Sequence, residues 1–101
     1  MVKYKLKIII DNEAKLALRE AYNYIKKDSF QNAEKVKSKM LASINELIKN
    51  PEKYAPDKYR FNNDASYRAY EIYKYRITYH VSSEEIRIIR IRHTKMNPLE
   101  Y

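Results

Sequence analysis

Hydrophobic and polar positions alternate along the first ten residues. Val2, Tyr4, Leu6, Ile8 and Ile10 are separated by Lys3, Lys5 and Lys7, a period of two that predicts an opening strand with one buried and one basic face. The period then lengthens. Asp11 or Asn12 is placed to cap a helix whose apolar stripe is Ala14, Leu18, Ala21, Tyr22 and Ile25. Lys27-Asp28-Ser29 interrupts that stripe, and Ser29 is the expected cap of a second helix carrying Ala33, Val36, Met40, Ile44 and Leu47. Asn50-Pro51 ends it. So short a link between two helices implies an antiparallel hairpin.

From Pro51 to Ser66 no period survives, and the stretch reads as loop. Strand patterns return at Tyr67 to Tyr73, Tyr75 to Val81 and Glu85 to His93, with connections short enough to require an antiparallel meander. In the middle strand Tyr75, Ile77, Tyr79 and Val81 mark the buried face, so Arg76, Thr78 and His80 point the other way. The expected fold is α+β in the order β-α-α-β-β-β, one domain over residues 1–101. Its mainly antiparallel sheet carries the helical hairpin on one face and leaves the other open.

Composition narrows the chemistry. The 101 residues are 45% hydrophobic, enough for one compact core. No cysteine is present, which excludes disulfides and thiol chemistry, and two histidines without cysteine point to no metal site. No glycine is present either, so a phosphate loop or dinucleotide fingerprint cannot be built and no nucleotide cofactor is expected. No apolar run approaches the roughly 18 residues of a membrane span, and no signal-peptide core is visible. A soluble cytoplasmic protein is therefore expected. The formal net charge of +8, from 21 Lys+Arg against 13 Asp+Glu, favours encounter with RNA, DNA or acidic protein segments.

Cations gather in the last third. Arg68, Lys74, Arg76, Arg87, Arg90, Arg92 and Lys95 are interleaved with tyrosines at 67, 70, 73, 75 and 79. On an open sheet face such residues hold phosphates and stack on bases, though tyrosines at alternating strand positions also serve as core.

The string Tyr75-Arg76-Ile77-Thr78-Tyr79-His80-Val81, the turn Ser82-Ser83-Glu84-Glu85 and the strand Ile86 to His93 together resemble the C-terminal hairpin of the RelE/ParE toxin superfamily. Asn50-Pro51-Glu52 after the second helix is similar to a motif common in that superfamily, and the element order and length match over essentially the whole chain. The resemblance implies the toxin of a type II toxin–antitoxin pair, held inactive by a cognate acidic antitoxin.

It also implies one of two actions. RelE-like members cut mRNA in the ribosomal A site, whereas ParE-like members poison DNA gyrase and cleave nothing. A non-toxic nucleic-acid-binding module is a further alternative. Residue matches lean toward the ribosome-dependent endoribonuclease, with Arg76, Lys95, His93 and Tyr101 as its catalytic residues and Arg68, Arg87, Arg90 and Arg92 as RNA contacts. In that scheme Arg76 and Lys95 stabilise charge on the phosphoryl oxygens. His93, with a reference pKa near 6.5, carries the proton. Tyr101 stacks on a base or donates a proton. Two positions depart from the RelE pattern: Lys95 replaces an arginine, and Tyr70 stands where a second strand lysine is expected. Arg76 points away from the buried face, so its removal is expected to leave the fold intact.

Overall fold

The computed structural model describes residues 6–96 and 101. Its elements run β1 (Lys7–Ile10), α1 (Asn12–Lys26), α2 (Phe30–Glu46), β2 (Tyr67–Ile72), β3 (Tyr75–Val81) and β4 (Glu85–His93), an α+β fold in the expected order. The expected strand positions Val2 and Tyr4 lie outside the described residues. The sheet order is β1-β4-β3-β2. β2, β3 and β4 form the antiparallel meander, and β1 pairs parallel with β4. The chain can lay β1 parallel to β4 because the helical hairpin, β2 and β3 lie between them in sequence.

Ser29 caps α2 as expected, its hydroxyl accepting from Asn32 N at 3.1 Å. Asp11 precedes α1 without capping it through its side chain. Its carboxylate instead pairs with Arg87 on β4 at 2.6 Å. The helical stripes meet the sheet as their spacing requires: Ala14, Ala21, Met40, Ile44 and Leu47 are buried against Tyr70, Tyr75, Ile77, Tyr79, Ile86, Ile88 and Ile91. Tyr22 leaves the core stripe; its hydroxyl donates to Glu34 at 3.2 Å and its ring lies under Lys37.

β4 carries a register shift opposite Thr78/Tyr79, so that Thr78 pairs with Arg90 and Tyr79 with Ile88. The extra residue is Ile89. A strict alternation would send Arg87 and Arg90 to opposite faces; the bulge resets the count and puts Arg87, Arg90 and Arg92 together on the face away from the helices.

The segment after α2 is irregular but anchored. Tyr79 Oη donates to Pro51 O at 2.8 Å, and Arg68 Nη1 donates to Tyr54 O at 2.7 Å. Ala69 N reaches Ala55 O at 3.3 Å and Asp57 N reaches Tyr67 O at 2.8 Å, so the segment runs beside β2 and covers that edge. With no glycine to turn on, the loop relies on Asn63, whose amide accepts from Ala65 N and Tyr67 N and donates to Tyr67 O. The segment then crosses onto the face expected to be open, carrying Asp57 and Tyr59 with it.

Candidate functional site

The face away from the helices is organised around one carboxylate. Asp57 is 3% exposed, although acids are seldom buried without partners. Its Oδ1 accepts from Arg76 Nη2 at 2.8 Å and from Tyr59 N at 3.1 Å, and its Oδ2 accepts from Tyr101 Oη at 2.5 Å. Burial alone would raise its pKa, but the hydrogen bonds from Tyr101, Arg76 and Tyr59, with the Arg76 charge, hold the carboxyl below the usual range.

Arg76 is correspondingly occupied. One terminal nitrogen binds Asp57, the other lies 3.6 Å from Glu71, and the guanidinium sits 4.9 Å from the Tyr59 ring. Its side chain is 20% exposed, so it is not the free surface arginine expected from alternation alone. Removing it would take from Asp57 its counter-charge and leave it the hydrogen bonds from Tyr101 and Tyr59, so a loss of stability is expected.

Tyr101 returns to the sheet. Its N–H donates to Tyr59 O at 3.0 Å, and the Phe61 N–H donates back to its carbonyl, so a two-way backbone bridge fastens it to the loop. Its ring packs edge-on against Tyr67, 6.0 Å between centroids. Arg60 and Arg90 lie 5.0 Å and 4.6 Å from the ring centre. Burial first, then the hydrogen bond to Asp57 and that carboxylate's charge, push the phenol well above its ordinary range. The hydroxyl is therefore a donor already committed to Asp57. Pro98 and Leu99, just before Tyr101 in the sequence, lie outside the described residues.

The four residues expected to act together divide between the two sides of the sheet. Arg76 and Tyr101 meet through Asp57. His93 pairs with Tyr75 across the β3–β4 ladder, and its ring stands edge-on to Tyr75 at 5.1 Å on the helix side. Its Nδ1 accepts from Lys95 N at 3.0 Å. Lys95 lies in the turn after β4 and borders, with His93, a groove of about 620 Å³ between α1 and the end of the sheet. His93 also lines, with Arg76, Arg90, Arg92 and Tyr101, a cleft of about 70 Å³ on the opposite face.

The four expected RNA contacts also separate. Arg68 is on the helix side, bound to the carbonyls of Tyr54 and, at 3.5 Å, Glu52. Arg87 is held by Asp11 at 2.6 Å and Glu85 at 2.8 Å. Arg90 stacks on Tyr101, and Arg92 lines the cleft beside it. Asp57, Tyr59 and Arg60 were not expected to take part, because the aperiodic stretch around them carries only turn signals. The one signal was a lone acid in Pro56-Asp57-Lys58-Tyr59-Arg60, a basic and aromatic run.

Among the described residues no helix is long and apolar enough to cross a membrane, and no cluster of three or more His, Cys, Asp or Glu could hold a metal ion. Comparison with curated proteins finds no match. Among solved structures the chain is similar to one from the chromosomal ParDE toxin–antitoxin system of P. aeruginosa, with a TM-score of 0.70 and 18% identity, covering 90% of this chain and 98% of that one. It is also similar to the YoeB dimer from Staphylococcus aureus, with a TM-score of 0.55 and 17% identity over 88% of this chain and 97% of that one. Both likenesses concern the fold. The sequence profile of the ParE toxins of type II (parDE) toxin–antitoxin systems matches residues 8–98, nearly the whole described chain. The chain therefore belongs to the ParE toxin family, as the toxin component of a type II toxin–antitoxin module.

Proposed function

We propose that this toxin acts by binding DNA gyrase and cleaves no RNA itself. The observation that supports this most is the clasp of Arg76 and Tyr101 by Asp57. A ribonuclease of the RelE kind needs that arginine for phosphoryl charge and that tyrosine for a base or a proton. Here both are spent on a buried carboxylate, and the His93 ring packs edge-on against Tyr75. A protein that works by binding needs only a rigid surface, which such a clasp supplies. Membership in the ParE family agrees with this reading.

Membership in a type II family implies an antitoxin. With a net charge of +8 on the toxin, an acidic antitoxin that orders as it binds fits best. The test is expression of the toxin alone, with two readouts. Growth arrest relieved by the antitoxin, inhibition of supercoiling by purified gyrase and intact mRNA are the expected results. Discrete ribosome-dependent cuts mapped by primer extension, with gyrase unaffected, would replace this reading with mRNA cleavage by Arg76, Lys95, His93 and Tyr101.

A further inference from the structure

The β2–β3 connection is a two-residue hairpin: Ile72 pairs with Tyr75, and Tyr73 and Lys74 make the turn. Both have positive φ, 51° and 66°. That is the geometry of a type I′ turn, which asparagine and glycine occupy readily and side chains as large as these do not. The absence of glycine from the chain does not account for the choice. Asparagine suits such a backbone, and Asn62 takes φ 52° a few residues earlier. Ala65 also has positive φ, but Asn63 Oδ1 holds its amide at 3.0 Å.

Neither side chain repays the strain within the fold. Tyr73 is 42% exposed, and it belongs to neither the core nor a ring contact among the described residues. The Lys74 ammonium has no carboxylate partner among the described residues. Strain kept where local packing gains nothing points to contacts outside the molecule.

The surroundings describe the partner. Thr94 N donates to Lys74 O at 2.8 Å, which sets the exposed turn with Lys95 and Met96 against the hairpin tip. Met96 is 55% exposed. The tip therefore joins a tyrosine and a methionine to two ammonium groups, and Lys95 likewise has no carboxylate partner among the described residues. Tyrosine and methionine are enriched at protein interfaces. Lysine is a compact point charge that pairs with carboxylates, whereas phosphate grips favour the forked arginine.

We infer that the Tyr73–Lys74 tip, with Lys95 and Met96 beside it, is the surface with which this toxin docks on an acidic patch of its protein target. The inference rests on the reading of the chain as a gyrase-binding toxin. The double substitution Tyr73→Asn/Lys74→Gly tests it, because it installs the residues the turn prefers and is expected to keep the fold. Its Tm is expected to rise by roughly 4–8 °C, while growth arrest and inhibition of gyrase supercoiling weaken at least tenfold. Lys95→Glu, on ordinary backbone, should weaken inhibition about tenfold at low salt and less at high salt. A double variant as toxic as the parent overturns the inference, as does one whose Tm falls. Unchanged inhibition by Lys95→Glu overturns the charge complementarity. Loss of affinity for bare duplex DNA of the same size as the loss of inhibition would place the contact on nucleic acid and overturn the protein partner. If the parent arrests growth but leaves gyrase untouched, the gyrase reading fails instead. Growth arrest by the double variant then still decides whether the tip is a contact.

Discussion

Asp57→Asn removes a charge and keeps the shape, and its effect can be sized from the geometry. The wild-type carboxylate has an ion pair at 2.8 Å to Arg76, a hydrogen bond at 2.5 Å from Tyr101 and another at 3.1 Å from Tyr59 N. Breaking a buried ion pair by deleting one partner costs about 3–5 kcal/mol. Arg76 keeps 20% of its side chain in water and has Glu71 at 3.6 Å, so the cost falls at or below the lower end of that range. We expect about 2–3 kcal/mol at pH 7, which for a domain of this size lowers Tm by roughly 8–24 °C. The difference should depend on pH with a definite sign. The fold depresses the Asp57 pKa, so this stabilisation is present above the unfolded value of about 3.9 and is lost as pH falls through the lower folded value. Urea unfolding of both proteins should therefore show a wide gap at neutral pH that closes in acid. A midpoint difference equivalent to less than about 0.5 kcal/mol at pH 7 would refute the reasoning. So would simple additivity with Arg76→Met, since partners in one ion pair must couple.

Three further outcomes are expected. Tyr101→Phe removes the donor to Asp57 and should cost about 1–1.5 kcal/mol. Because the fold raises this phenol's pKa, its contribution is full below about pH 10 and falls as pH rises, so the variant's stability should decline less in alkali. Tyr70 and Tyr79, both pushed up to about 12 by burial, keep part of the alkaline slope in either protein. Ser29→Ala removes the α2 cap and should lower stability by about 1 kcal/mol in urea unfolding, with the fold retained by circular dichroism. Ile88→Ala opens a cavity at a fully buried strand position under the helices and should cost about 2–5 kcal/mol by thermal unfolding.

The periodicities of the chain determined the elements and their faces. Tyr75 to Val81 carries tyrosine, isoleucine and valine at every second position because a pleated strand sends neighbours to opposite sides; Ala33, Met40, Ile44 and Leu47 recur at helical spacing because one face of α2 is buried. Ser29 was legible as a cap because a hydroxyl before an apolar stripe has one clear use. Those are local relations, carried by residues a few positions apart. The doubled isoleucine at 88 and 89 passed unread as a bulge, because only the register against β3 shows that Arg87, Arg90 and Arg92 share one face.

What the tertiary structure decided is the fate of the polar side chains. Arg76 is 19 residues from Asp57, and Tyr101 is 44 from it. No period links them, and the aperiodic loop that carries Asp57 can be placed only once its hydrogen bonds to β2 are known. Arg68 illustrates the same point: its type suggested a phosphate, and its place in β2 gave it the loop carbonyls instead. Burial of apolar groups depends on spacing along the chain. The partner of a charge depends on which distant segment desolvates it, because an ionised group taken out of water must find its counter-charge wherever the fold brings one.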